Sequence, residues 1–418
     1  MNISLLDPFA ALKDFPETLT RTISQPNSYS VYVKYNEQGN YLACGLSSGT
    51  ILLIDNDTKQ PIRILSRHTK PIQSLTWSRC GRYLLSSSRD WRVYLWDVIT
   101  GGNLQGFNFH TPVWTAEFNP VNEKEFIVAL FDEMPLLVDS QGAKHIIPTD
   151  INNGTAISVL KFHPNGQYIF TGSNKGVLTV IQRVPEDGSL RIVGEVKVSS
   201  SAIRNIIISP NGLKIATNSS DRIIRQYNIP SDATLDDPQT WQALEITHKY
   251  QDIVNRIQWN SIMFHPTENS EYLIASAYGS SHVIYMWETT TGSMLNILQG
   301  PEEELMDLDW NVVKCTICAT GVDTGNVYLW SLVIPQRWSA LAPDFVEIDE
   351  NIEYQEQEDE FDFKGDEQEG RESERKRLRE EAEIVIDVWT KEKRDARGNP
   401  LELGVIVPVD YSLDIAEL

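Results

Sequence analysis

His68, Ser86, Asp90 and Trp96 stand close together in the chain, and the first three are the residue types that carry out acyl transfer. A serine hydroxyl attacks, an imidazole takes its proton, and a carboxylate holds the imidazole in the productive tautomer. The surroundings of Ser86 argue otherwise. Leu84-Leu85-Ser86-Ser87-Ser88 offers no glycine-flanked nucleophile turn, and no nearby loop is built to aim backbone N–H groups at an oxyanion. A buried hydrogen-bond chain that braces a sheet uses the same residue types, and that reading is preferred. Cys315-Thr316-Ile317-Cys318 has metal or redox spacing. It has no second pair and no neighbouring histidine, and it falls inside a strand-like run, where the two thiols would point to opposite faces. Both are read as core cysteines. Phe162-His163-Pro164-Asn165-Gly166 and Phe264-His265-Pro266 are read as turns, set mechanically by proline and glycine. No Walker loop, dinucleotide fingerprint, HExxH or GxSxG occurs, so the sequence points to no enzyme, no cofactor and no metal site.

The elements that must position these residues repeat along the chain. One unit runs Ile72-Gln73-Ser74-Leu75-Thr76-Trp77, then Gly81-Arg82-Tyr83-Leu84-Leu85-Ser86, then Val93-Tyr94-Leu95-Trp96-Asp97. Each run is strand-length, rich in β-branched or aromatic residues, and separated from the next by polar or glycine-bearing turns. The pattern returns at Ile51-Leu52-Leu53-Ile54-Asp55, Leu136-Leu137-Val138-Asp139, Leu178-Thr179-Val180-Ile181, Ile223-Ile224-Arg225-Gln226-Tyr227, Val283-Ile284-Tyr285-Met286-Trp287 and Val327-Tyr328-Leu329-Trp330. Asp55, Asp97 and Asp139 are spaced 42 apart. A period of about 40–45 residues is that of WD-repeat propellers, which the chain resembles over roughly residues 20–335. The fold class is therefore all-β, a seven-bladed WD-repeat β-propeller. Only the second unit ends in Trp-Asp, and the sixth is read as long, with extra sequence around Asp236 to Asp252. Leu19-Thr20-Arg21-Thr22-Ile23 alternates apolar and polar residues and precedes the first unit. It is expected to close the ring as the outer strand of the last blade, because radial repetition leaves edges that need cover. The alternative is a loose N-terminal arm.

No apolar run approaches the ~20 residues of a membrane span, and the first residues lack the basic and apolar regions of a secretory signal. Four cysteines in a chain of 418 residues fit reduced thiols in the cytosol or nucleus. The net charge of −22 is uneven: residues 341–418 hold 25 acidic and 10 basic residues. From Asp344 to Glu369 there are 13 acidic residues and one basic residue, Lys364. Such a stretch repels itself and is expected to be largely extended. Apolar residues punctuate it and the residues leading into it, at Trp338, Leu341, Phe345, Ile348, Ile352, Tyr354, Phe361 and Phe363, which favours a binding segment over a plain acidic spacer. Burying each in a partner contributes about 1.5–3 kcal/mol. Beyond a mixed-charge run from Arg371 to Arg379, Leu378, Ala382, Val385 and Trp389 would line one side of a helix. Ile384, Ile386 and Val388 instead alternate as in a strand, and periodicity leaves the two readings open. In either form Glu383-Ile384-Val385-Ile386-Asp387-Val388 is an apolar patch suited to docking.

Trp338-Ser339-Ala340-Leu341-Ala342-Pro343-Asp344-Phe345, then Glu350-Asn351-Ile352-Glu353-Tyr354 and Glu358-Asp359-Glu360-Phe361-Asp362, resemble the retinoblastoma-binding protein five family. Its fungal members are propeller subunits of the COMPASS histone-methyltransferase complex, and the match there is closer. The resemblance covers residues 1–390. It implies an N-terminal arm at 1–18, a propeller at 19–337, an acidic activation and SPRY-docking segment at 338–370, and a tail at 371–418 with a second docking motif. Ser339, Leu341, Phe345 and Ile348 would lie in a segment (339–353) against the SET-domain methyltransferase subunit and its SPRY-domain partner, with Tyr354 adjoining it. Glu356, Glu358, Phe361 and Asp362 would dock on the basic SPRY-domain surface. Ile384, Ile386 and Val388 would fill a groove on a second WD-repeat subunit. Implied further are a nuclear location, contact with nucleosomes or histones through the complex, and a scaffold that stimulates methylation of lysine four of histone three. Two other classes compete. A WD-repeat histone chaperone with an acidic histone-binding tail would bind free histones without a methyltransferase, and a propeller enzyme would need a central carboxylate or metal cluster.

Overall fold

The structure, a computed structural model, describes residues 15–24, 28–149, 156–184, 189–230, 238–242, 244–252, 256–267, 269–278, 283–311, 313–332 and 407–408. The chain divides into two units, Phe15–Ser331 with Arg394–Leu418, and Met1–Asp14 with Leu332–Lys393. Of the second unit only Leu332 is described, and the first holds every strand described here.

Seven four-stranded antiparallel sheets form the blades of a propeller. Blade 1 spans 30–66, blade 2 72–108, blade 3 113–146, blade 4 157–197, blade 5 203–250 and blade 6 259–299. Blade 7 takes its first three strands from Leu305–Asn311, Thr316–Gly321 and Val327–Ser331, and its fourth from Thr18–Ile23. Burial follows position within a blade. The second strands, such as Tyr41–Leu46 and Tyr83–Ser88, are buried on both faces because neighbouring blades cover them. The outer strand Gly102–Asn108 alternates exposed and covered residues, since one face meets water.

Propeller cores are not central. Seven apolar clusters lie one at each blade-to-blade seam, from the blade 1–2 cluster of Leu53, Ile72, Trp77 and Trp96 round to the blade 7–1 cluster of Val33, Leu52, Cys318 and Leu329. Each blade buries its faces only against its neighbours, so an unclosed ring would expose two of them.

The expected closure is present. Thr18–Ile23 pairs antiparallel with Val327–Ser331, from Thr18 opposite Ser331 to Ile23 opposite Val327. Thr20 Oγ1 donates to Leu329 O at 3.1 Å, and Ser331 Oγ donates to Thr20 Oγ1 at 2.9 Å. One chain segment thus supplies the outer edge of blade 7 and leads directly into the inner strand of blade 1.

Two readings from the sequence need correction. The extra residues assigned to the sixth unit belong to blade 5, whose outer strand is Ile246–Tyr250 and is preceded by the short helix Pro238–Gln242. The helix is anchored through Trp241, which is 1% exposed and lies edge-to-face on Phe170 of blade 4, with ring centroids 5.6 Å apart. A Cβ at Gly194 of blade 4 would fall 2.7 Å from the Trp241 side chain, so only glycine leaves room there. Cys315 is not in a strand. It occupies the turn before Thr316–Gly321 with φ +48°, while Cys318 is fully buried in that strand. Burial pushes the Cys318 thiol up, and Cys318 and Cys44 share the blade 7–1 cluster as apolar filling.

Candidate functional site

The His68 group assembles as one hydrogen-bond chain. Trp96 Nε1 donates to Ser86 Oγ at 2.9 Å, Ser86 Oγ lies 2.8 Å from His68 Nε2, and His68 Nδ1 lies 2.8 Å from Asp90 Oδ2. An ionised carboxylate can only accept, so Nδ1 of a neutral His68 carries the proton shared with Asp90, and Nε2 is then the acceptor for the Ser86 hydroxyl proton. A hydrolytic triad has the same proton order. Here the serine oxygen already accepts from the indole, and Ser86 is 0% exposed, so no substrate carbon can reach it. Burial pulls the Asp90 carboxyl up, but hydrogen bonds from His68 and the Thr69 and Arg92 amides hold it below its ordinary value. The group ties the approach to the inner strand of blade 2, through His68, to its second strand, third strand and intervening turn. Asp97 anchors the next turn, accepting from Arg82 Nη2 at 2.9 Å and Ile99 N at 3.1 Å.

Blade 7 solves the same problem with other residues. Glu303, ahead of its inner strand as His68 is ahead of that of blade 2, accepts from the Asp323 and Thr324 amides at 3.0 and 2.9 Å and from the Tyr328 hydroxyl. Gly321 leaves it space, since a Cβ there would meet Glu303 Oε1 at 2.1 Å. Blade 7 thus ties the approach to its inner strand to its third strand and the turn before it without a His-Ser-Asp set.

At the closing seam, blade 7 presents two carboxylates to blade 1. Asp307 Oδ2 accepts from Val33 N at 3.2 Å, and Asp309 Oδ2 accepts from Tyr35 N at 2.6 Å. Asp309 Oδ1 pairs with Lys34 Nζ. Burial raises the Asp307 carboxyl to about 6 against the pull of the Val33 amide and Lys34. These residues went unread in the sequence, although Leu305-Met306-Asp307-Leu308-Asp309-Trp310 carries a signal: acids on one face of an alternating strand.

All seven inner strands line a central cavity of about 870 Å³. Two of its cations pair with carboxylates of a neighbouring blade, Lys161 with Glu117 at 2.6 Å and Lys34 with Asp309. Among the described residues no group of three or more His, Cys, Asp or Glu could hold a metal, and no helix is long and apolar enough to cross a membrane. The docking residues named from the sequence, Ser339, Leu341, Phe345, Ile348, Tyr354, Glu356, Glu358, Phe361, Asp362, Ile384, Ile386 and Val388, all lie outside the described residues.

Comparison with known proteins supplies what the propeller alone does not. The family model "WD domain, G-beta repeat" matches residues 59–97 and 148–182. The chain is 39% identical over 434 residues to the COMPASS component SWD1 of Saccharomyces cerevisiae, covering 99% of this chain and 98% of that protein. It is 39% identical over 377 residues to the Set1 complex component swd1 of Schizosaccharomyces pombe, covering 87% of this chain and 90% of that protein. The retinoblastoma-binding protein 5 homolog of Drosophila melanogaster is 33% identical over 366 residues, 87% of this chain and 72% of its own. The crystal structure of the Cps50 (Swd1) β-propeller domain from Myceliophteria thermophila superposes with a TM-score of 0.69 at 34% identity, covering 76% of this chain and 100% of that one. With seven blades, a brace where a triad was conceivable, and relatives matched over almost the whole length, the chain belongs to the Swd1 and retinoblastoma-binding protein 5 family of non-catalytic WD-repeat propellers.

Proposed function

We propose that this chain is a scaffold subunit of a COMPASS-type complex in the nucleus, and that it stimulates methylation of lysine four of histone three without performing chemistry itself. The observation that carries the reading is the extent of the likeness to the yeast COMPASS component, which takes in 99% of this chain and so runs beyond the propeller into the acidic segment. In this reading 339–353 lies against the SET-domain subunit, Glu356, Glu358, Phe361 and Asp362 dock on the SPRY-domain subunit, and Ile384, Ile386 and Val388 dock on a second WD-repeat subunit. Nucleosomes and histones are met through the complex. A segment that touches both enzyme and activator lowers the entropic cost of holding the enzyme's mobile parts in one arrangement. Two docking motifs on one chain make the second contact intramolecular.

Reconstitution tests this. The SET and SPRY subunits are assayed for histone methylation alone, with the full chain, and with the chain lacking 339–362. Stimulation by the full chain and its loss on deletion are expected. Equal rates in all three reactions, or tight binding of free histones with no effect on the methyltransferase, would overturn it.

A further inference from the structure

Trp91 stands where the fold favours glycine. It occupies the turn between the second and third strands of blade 2 with φ +69°, and the same turn in blades 1 and 4 places Gly49 at φ +91° and Gly176 at φ +77°. This left-handed region carries a steric cost for a residue with a Cβ. The fold uses only the Trp91 carbonyl, which accepts from Phe109 N at 2.9 Å, a bond any residue could make. The side chain recovers little by burial, since Trp91 is 50% exposed. A strained, exposed aromatic residue that the fold does not need points to recognition.

The charges around it are mostly of one sign, in a chain whose net charge is −22. Arg92 Nη1 donates to the Tyr94 hydroxyl at 3.1 Å, and the Arg67 guanidinium lies over the Tyr94 ring, with Cζ 5.5 Å from its centroid. Tyr94 is buried, so two guanidiniums are held against one fixed ring. Among the described residues neither forms an ion pair. From blade 3, Lys144 Nζ donates to Asn108 O at 2.8 Å, and Asn108 stands opposite Arg92 in the sheet. Asp90, next to Trp91, is occupied by His68 and by the amides of Thr69 and Arg92. The matching turn of blade 3 holds Asp132 and Glu133, so the positive surface ends there.

We infer that this rim of blade 2 is a phosphopeptide-binding site, in which Arg67 and Arg92 take the phosphate of a phosphoserine or phosphothreonine and Trp91 packs on the residue beside it. Two planar guanidiniums offer paired N–H groups to the oxygens of a dianion, a closer match than to a single carboxylate. A nucleic-acid strand would need cations that track its backbone and rings for successive bases. Here the cations gather at one tyrosine and stop at Asp132 and Glu133. The site stands on the geometry around Tyr94 and Trp91 and does not depend on the partner assignments.

The test uses the full chain and fluorescence polarisation. The probes are a labelled short peptide with phosphoserine between leucines, its unphosphorylated twin, and a short oligothymidylate. The phosphopeptide should bind at least tenfold more tightly than its twin. Arg67→Ala with Arg92→Ala should abolish that preference, and Arg67→Lys with Arg92→Lys, which keeps the charge and loses the planar donors, should reduce it at least threefold. Trp91→Gly should weaken binding at least fivefold while its urea midpoint is no lower than that of wild type, because glycine relieves the turn. Equal binding of the two peptides, or binding of neither, would overturn the site. Phosphopeptide binding that appears only when 341–370 is deleted would give the site to the chain's own acidic segment and overturn it equally. Tighter binding of the oligothymidylate, with the same dependence on Arg67 and Arg92, would make the surface a nucleic-acid contact instead. A Trp91→Gly chain that unfolds at a lower urea concentration would make Trp91 structural and refute its role in binding.

Discussion

Replacing Asp309 with alanine should weaken the ring where it closes. The Asp309 side chain is 2% exposed and does two things across the blade 7–1 seam: it accepts from Tyr35 N at 2.6 Å and pairs with Lys34. The Lys34 side chain is 34% exposed at the channel, so the freed ammonium finds water and its loss of partner costs little. The amide of Tyr35, a residue 5% exposed, does not have that outlet. A hydrogen bond to a charged acceptor contributes about 1.5–3 kcal/mol, and the space left by the carboxylate adds somewhat under 1 kcal/mol. Asp309→Ala should therefore cost about 3 kcal/mol. Asp309→Asn keeps an acceptor for Tyr35 and loses only the charge, so it should cost about 1 kcal/mol. Urea unfolding followed by tryptophan fluorescence, for which the chain has 11 Trp, should show an alanine midpoint lower by on the order of 1 M. The reasoning is refuted if alanine unfolds within 0.2 M of wild type, a margin of roughly 0.5 kcal/mol. It is refuted as well if asparagine is as damaging as alanine, since the backbone hydrogen bond would then not be the dominant contact.

Asp307 should respond to pH in the opposite sense from most carboxylates. Its folded-state value near 6 lies above the ordinary 3.8, so the fold favours the protonated form, and its contribution is fully present at low pH and lost as pH rises through about 6. Asp307→Asn should match wild type at pH 4 and gain on the order of 1 kcal/mol at pH 7.5, a figure reduced for water in the channel; denaturation midpoints that differ equally at both pH values would contradict this. Ser86→Ala strands the buried Trp96 N–H and removes the donor to His68, so it should cost about 2–4 kcal/mol in thermal or urea unfolding. A fully stable Ser86→Ala chain would mean the group is not a brace. In the docking segment, Phe361→Ala should weaken SPRY-subunit binding by about 2 kcal/mol at any salt concentration. Glu356→Lys with Glu358→Lys should lose most of its effect in high salt, and titrations at two ionic strengths separate the two.

The repeat was legible because each blade needs strands of fixed length separated by turns, and a ring of like blades writes that need into the sequence seven times. The closing strand was legible for a related reason: Leu19-Thr20-Arg21-Thr22-Ile23 has the alternation of an edge strand and precedes the first unit, where a ring must borrow one. The position of the long insertion was not. Periodicity counts residues but does not say whether they fall before or after an outer strand, and only the pairing of Ile246–Tyr250 with Ile224–Asn228 places them in blade 5.

Side-chain chemistry divides in the same way. His68, Ser86, Asp90 and Trp96 could be recognised as a set from their types, but triad and brace share one proton order. Burial of Ser86 and the indole on its oxygen decide between them, and both are tertiary facts. Cys315 looked like a strand residue because the apolar run includes it, whereas the turn geometry excludes it. Composition alone separated the acidic segment from the propeller body, since unlike charge densities need no fold to be seen. That Arg67 and Arg92 meet at the Tyr94 ring could come only from the tertiary structure. Two strands separate them in the chain, so no local spacing pairs them, and the ring that holds them is fixed only once blades 1 and 2 have packed.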